Sequence, residues 1–279
     1  RLWMAPVRSV GTSRVPRQLV EDLSRRMGDR IQGSGTFRLA STSTRAEDVC
    51  LVESCEINAA RQAGARAAFH TRLVQYGDSC VLLAALYDAE SGHDEWSSTS
   101  AFPCEAAAVD AAMGTLSEAF LTRAPPVPRG PVFAVTPIQH DVTEIAFATE
   151  SFAEYLTTLM SAAGHTTLPA SGVASPLVAK KVELNKSCDK GCAIGLALDA
   201  TAEKAVVTKI TRKNKVCTIV ATVHDLATKD SSVSANAKGG CESANIAEGL
   251  RTIASALTPA PPKAEPPPPP PPPQGEDLK

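Results

Sequence analysis

Cys80–Cys104 reads CVLLAALYDAESGHDEWSSTSAFPC. The apolar run Val81 to Asp88 predicts a strand, Glu90-Ser91-Gly92-His93 a turn, and Glu95 to Phe102 a returning strand. A cysteine closes each open end of the hairpin. The stretch Cys217–Cys241, CTIVATVHDLATKDSSVSANAKGGC, repeats the layout at the same length. In each case another cysteine, Cys55 or Cys192, lies 25 residues upstream.

The repeat extends outward from the hairpins at one constant offset, 137 residues. It carries Leu82 onto Ile219, Leu83 onto Val220, Asp88 onto Asp225 and Ile57 onto Ile194. In the last helix of each half it carries Val109, Met113, Leu116 and Phe120 onto Ile246, Leu250, Ile253 and Leu257. Those spacings of three and four mark a buried helix face. Upstream, Leu2 to Val7 and Phe133 to Ile138 are strand candidates that leave the sheet at Pro6 and Pro137, because proline cannot donate to a ladder. Amphipathic helices follow, Pro16 to Gly33 (Val20, Leu23, Met27, Ile31 inward) and Glu144 to Ala163 (Phe152, Leu156, Leu159, Met160 inward). Phe37 to Ala40 and Thr166 to Pro169 are short second strands. Small helices over Glu56 to Ala63 and Ala193 to Ala200 follow the first cysteines of each half. The remaining strand candidates are Ala67 to Tyr76, Lys204 to Thr211, Thr218 to Asp225 and Ser232 to Lys238. The chain is expected to be a mixed α+β protein made by duplicating a β-α-β-α-β-β-β-α unit, each copy a roughly five-stranded sheet with helices packed on it. The copies are expected over 1–123 and 132–257, with a proline-rich linker at 124–131 and a proline-rich tail or stalk at 258–279. The run Pro266 to Pro273 alone would span about 25 Å as a polyproline II helix.

Composition narrows the function classes. The formal charge of −2 argues against a general nucleic-acid or membrane-surface binder. Aromatic residues make up 4% of the chain, so the cores are expected to be aliphatic. The run Cys80 to Tyr87 is far too short to cross a bilayer. Arg1 at the start and the stop after Glu276-Asp277-Leu278-Lys279 leave room for a leader, anchor or further segment outside this chain.

Eight cysteines remain to be placed. The hairpin geometry sets Cys80 beside Pro103 or Cys104, and Cys217 beside Cys241, favouring the pairs 80–104 and 217–241. Cys50–Cys55 and Cys188–Cys192 would close small loops. Chain-entropy arithmetic assigns roughly 3.5 kcal/mol to a 25-residue loop and roughly 2 kcal/mol to one of about five. Zinc, free thiols, or another pairing such as Cys55 with Cys80 are the alternatives; the zinc spacing is poor, because structural sites favour short C-x2-4-C knuckles on both sides. Disulfides imply an oxidising compartment: periplasm, cell surface or secretion.

Motifs of catalysis are not legible. The histidines His70, His93, His140, His165 and His224 form no metal-spaced pattern. His70 and His224 correspond to Val207 and Tyr87, so both read as structural. Asp88 and Asp225 read as turn carboxylates that hydrogen-bond nearby backbone. Lysines gather in the second half at Lys180, Lys181, Lys186, Lys190, Lys204, Lys209, Lys213 and Lys215, with Arg212 among them. Lys209 and Lys213 share a face if the strand runs past Thr211, making a candidate patch for an anionic partner. No cofactor, metal or catalytic residue is assigned.

The prolines ending the first strands, the amphipathic helix, the cysteine-bearing small helix, Ala63-Gly64-Ala65-Arg66-Ala67 before a strand, and LYDAESG at Leu86 to Gly92 carry a resemblance. Each half resembles the TolB amino-terminal domain and the related periplasmic domain of curli-secretion-channel lipoproteins. The match is fainter in the second half, where VHDLATKD replaces the Asp-x-x-x-Gly turn. The resemblance implies a non-catalytic envelope protein whose partners are other envelope proteins. A ligand-binding or sensory ectodomain of a larger membrane-anchored protein is the alternative. A hydrolase with a site between the halves is a third reading.

Overall fold

The computed structural model describes residues 1–10, 15–40, 53–123, 130–142, 145, 149–179, 188–228 and 230–258. Cys50, Lys180, Lys181, Lys186, the linker stretch Ala124–Arg129 and the proline-rich tail beyond Thr258 lie outside them. The first half holds β1 (Leu2–Met4), β2 (Arg8–Val10), α1 (Arg17–Gly33), α2 (Glu53–Gln62), β3 (Ala67–Tyr76), β4 (Ser79–Asp88), β5 (Asp94–Pro103) and α3 (Ala106–Leu121). The second holds β6 (Val132–Val135), β7 (Gln139–His140), α4 (Thr149–Ala162), β8 (Thr166–Thr167), α5 (Ala170–Ala179), α6 (Lys190–Asp199), β9 (Lys204–Lys213), β10 (Val216–Asp225), β11 (Ser231–Gly239) and α7 (Ser243–Leu257).

Two mixed sheets result. The first runs β1-β3-β4-β5, with β2 also on β3; the second runs β11-β10-β9-β6-β8, with β7 on β9. In both, the first strand pairs parallel with the long strand and the hairpins pair antiparallel. The ladders agree at the offset of 137: Leu73 faces Leu82 as Ile210 faces Ile219, and a register shift follows Leu86 as it follows Val223. Gly77 (φ 63°) begins the tight β3–β4 turn, and Asn214 (φ 59°) stands at the same place in the β9–β10 turn. Asparagine is among the residues that tolerate this left-handed conformation, which two-residue hairpins require.

Each sheet uses its two faces differently. On β3 the alternation sends Ala67, Phe69 and Leu73 toward α1 and α3, where they meet Val20, Leu23, Met27, Ile31, Val109, Met113, Leu116 and Phe120. The Phe120 ring lies tilted at 4.4 Å from Phe69 and edge-on at 5.4 Å from Trp96, measured between ring centroids. The opposite face packs Ala68, Ala85 and Tyr87 against Ile57 and Ala60 of α2. Farther along that same face, Val74, Tyr76, Val81 and Leu83 join the core of the second half, against Phe152, Tyr155, Leu156 and α7. The halves therefore share one apolar interior.

Several local expectations are corrected. Prolines 6 and 137 do interrupt the first strands, yet each chain segment rejoins its sheet, as β2 and β7. Phe37 to Ala40 makes a single bridge, Leu39 to Leu2, rather than a strand. Helix α5 is additional to the expected elements. In the hairpins Cys80 pairs with Phe102 and Cys217 with Gly239, two residues short of Cys104 and Cys241. The turns close earlier than expected, with Tyr87 pairing Asp94 and His224 pairing Ser231, and the one-residue register shift beside each restores only part of the difference.

Candidate functional site

The face of β3 opposite α1 carries His70 and Arg72 in succession, since residues two apart on a strand point the same way. Helix α2 brings Glu53 and Glu56 above it, three apart and so on one side of the helix. Helix α4, from the other half, lays Glu154 and Ser161 on the same sheet, seven residues apart and again on one side. The five charged side chains are between 1% and 5% exposed.

His70 Nδ1 lies 2.5 Å from Glu56 Oε2, and His70 Nε2 lies 2.9 Å from Glu154 Oε1. With a carboxylate at each ring nitrogen, both nitrogens donate and the ring is an imidazolium. Burial alone would lower the His70 pKa; the Glu56 charge and the two carboxylate hydrogen bonds overcome it and raise the pKa to about 10. Arg72 donates from its guanidinium to the other oxygen of Glu154. Burial works against the Arg72 charge too, but Glu154, Glu53 and Glu56 push its pKa upward. Glu53 is held below its ordinary value: burial opposes this, and the charges of His70 and Arg72 outweigh burial. Glu154 goes the other way, raised by burial and by the neighbouring Glu53 charge.

Further polar contacts surround the cluster. The Thr167 amide donates to Asp94 Oδ1 at 2.6 Å, and the Ser161 hydroxyl donates to the other Asp94 oxygen. Tyr76 Oη donates to the Ser151 carbonyl at 3.2 Å, and the Ser54 amide to Ser171 Oγ at 3.2 Å. Every one of these bonds joins one half to the other. The cluster is buried among the described residues, and its geometry fixes α4 on the first sheet.

The cysteines lie elsewhere. Disulfides join Cys80 to Cys104, Cys188 to Cys192, and Cys217 to Cys241, with Cα separations of 4.9, 5.0 and 5.1 Å. Cys55 is disulfide-bonded as well. Asp88 Oδ1 accepts from the Glu90 and Ser91 amides, and Asp225 Oδ1 from those of Ala227 and Thr228. Strand β9 runs to Lys213, so Lys209 and Lys213 share its outer face, both exposed. The cross-strand rows there are Val207–Thr222–Ser234, Lys209–Val220–Asn236 and Thr211–Thr218–Lys238. This is the face that, in the first half, α4 and α7 cover. Leu83 is 1% exposed and its counterpart Val220 37%.

Sequence reasoning read His70 as structural but missed the charged cluster it belongs to. The offset pairs His70 with Val207, Arg72 with Lys209, Glu53 with Lys190, Glu56 with Ala193 and Glu154 with Arg17, so nothing of the cluster recurs. A usable signal was present in β3 alone: two consecutive same-face positions, His70 and Arg72, on a strand otherwise rich in apolar residues.

Among the described residues no helix is long and apolar enough to cross a membrane. No protein-family profile matches the sequence, and no curated protein matches it. Solved structures resemble parts of the chain. Lipoprotein GNA1162 from Neisseria meningitidis is 13% identical with a TM-score of 0.34, over 40% of this chain and 85% of that one. A PelC dodecamer from Paraburkholderia phytofirmans is 15% identical with a TM-score of 0.33, over 49% and 93%. TolB from Acinetobacter baumannii is 10% identical with a TM-score of 0.28, over 47% and 28%. Likenesses at this level describe a partial structural similarity and carry no functional argument.

Proposed function

We propose that this chain is a non-catalytic interaction scaffold of an exported, oxidising compartment, the bacterial cell envelope. In this reading residues 1–123 and 132–257 are two copies of one TolB-amino-terminal-like unit, joined by the linker 124–131 and followed by the stalk 258–279. The common ladder registers and the common turn conformations support the duplication. The disulfides support the compartment, since such bonds persist where thiols are not kept reduced.

The observation that carries the function is the unequal use of one sheet face. In the first unit it is covered by α4 and α7, which bury Val74, Tyr76, Val81 and Leu83 beside the ionic pair His70 and Arg72. In the second unit it is open, and its residues suit water: Thr211, Thr218 and Thr222 stand where the first unit has Val74, Val81 and Ala85. Two exposed valines, Val216 and Val220, lie among Lys209, Lys213 and Lys238 on it. A mainly polar face with two exposed valines, three cations and no carboxylate in its cross-strand rows fits an acidic partner protein.

A photo-crosslinking residue at Val220, with one at exposed Glu118 on α3 as control, tests this in the cell that encodes the chain. The reading predicts a protein adduct of defined mass from position 220, absent from position 118, and lost on Lys209→Glu with Lys213→Glu. No adduct at 220, or one indifferent to the charge reversal, rejects the open face as the binding surface.

A further inference from the structure

We propose that Glu53, His70 and Glu154 form a binding site for a divalent transition metal of the zinc class, clamping the two halves. One donor atom from each lies within 4.8 Å of the others, and all three residues are buried. A second observation points to a cation. Glu53 Oε1 is buried and has no hydrogen-bond partner among the described residues. An unsatisfied carboxylate oxygen in the interior is costly, and such groups call for a ligand or ion.

The surroundings match what metal ligands require. A ligating histidine characteristically gives its other N–H to a carboxylate, which fixes its tautomer and orientation. Glu56 stands at His70 Nδ1 in that role, leaving Nε2 for the metal. Nε2 and Glu154 Oε1 are 2.9 Å apart, and holding a tetrahedral zinc ion at ~2.0–2.1 Å from each would need them to spread to ~3.3 Å. Arg72 holds the second Glu154 oxygen and so orients that carboxylate. One imidazole nitrogen with carboxylate oxygens selects zinc, manganese or cobalt over calcium and magnesium, which prefer oxygen alone.

An ion bound at Nε2 would take the place of the proton there. Because Glu53 and His70 come from one half and Glu154 from the other, the ion would be loaded as the halves close. This zinc site is unrelated to the cysteines, and it stands whether or not the open face of the second sheet binds a partner.

The test uses untagged, oxidised full-length chain purified without chelator. Elemental analysis should find about one zinc, manganese or cobalt ion per chain. After unfolding with chelator and refolding, zinc chloride should raise the midpoint of thermal unfolding and magnesium chloride should not. Glu53→Gln, which removes one ligand but keeps a neutral side chain of the same size, should abolish the zinc-dependent shift while the apo variant still folds. Glu56→Gln should weaken zinc affinity by roughly 10- to 100-fold. Less than a tenth of an equivalent of any such metal, together with no zinc shift in the refolded chain, overturns the proposal. So does a zinc shift that survives in Glu53→Gln, because the ion would then lie elsewhere.

Discussion

At the scale of single residues, Glu154 carries the ionic link between the halves. Its two oxygens are engaged by His70 and Arg72, all three almost wholly buried. Removing one partner from a buried ion network leaves an uncompensated charge, at a cost of roughly 3–5 kcal/mol. Glu154→Leu is therefore expected to lose about that much in urea unfolding, and a loss under 1 kcal/mol would show that the network does not hold the halves. The pH dependence follows from His70. Its pKa rises from 6.5 to about 10 on folding, so its stabilisation is complete below 6.5 and disappears as pH climbs toward 10. Glu56 and Glu154 face its ring, with Glu53 and Arg72 beside them, and Glu154, itself raised, adds to the loss as it ionises at lower pH. In the presence of chelator, wild-type stability should fall by several kcal/mol between pH 6 and pH 9.5, and the fall should be much smaller in His70→Gln. Equal slopes would contradict the assigned charge state. None of this was legible from the repeat, because a structural role shared by both copies was assumed for His70, and Val207 at the matching place supplied no contrary sign. A contact across the halves is made by residues 84 apart in the chain, which no local pattern encodes.

At the scale of elements, the hairpins were the most legible part, since alternation, turn residues and flanking cysteines all point the same way. Their registers were not: each turn closes earlier than its residues suggested, and the one-residue shift beside it, which has no clear sequence mark, leaves the cysteines two positions past the paired residue. Helix α5 was hidden by Gly172 and Pro176, both poor helix formers, yet Val173 and Leu177 four apart bury against the sheet and hold it. The equivalent positions Leu83 and Val220 give a direct contrast between a covered and an open sheet face. Leu83→Ala should cost about 2–5 kcal/mol through the lost contacts and the cavity left between the halves. Val220→Ala should change stability by no more than about 0.5 kcal/mol. If both substitutions cost the same in urea unfolding, the two faces are not used differently and the open face loses its standing as a surface reserved for a partner.

At the scale of the whole molecule, the sheets are tied by a common apolar core, by buried ionic contacts and by backbone-to-side-chain bonds from Asp94 and Ser171. Tyr76 of the first half stacks on Phe152 of the second at 5.0 Å between centroids. A first half standing alone would expose Val74, Tyr76, Val81 and Leu83, which a soluble unit rarely tolerates as one patch. The proposed duplication rests on the constant offset, which is silent on how the two halves meet, because their meeting surfaces are the positions where the halves differ. The second half completes the first, so that the two should open and close together. Native-state hydrogen exchange followed by mass spectrometry, at increasing urea below the unfolding midpoint, measures this directly. The account predicts that peptides from β3–β4 and from β9–β10 exchange through one opening of the same free energy and urea dependence, and that Glu154→Leu lowers both together. Two separate openings, with one hairpin staying protected while the other exchanges, would contradict it.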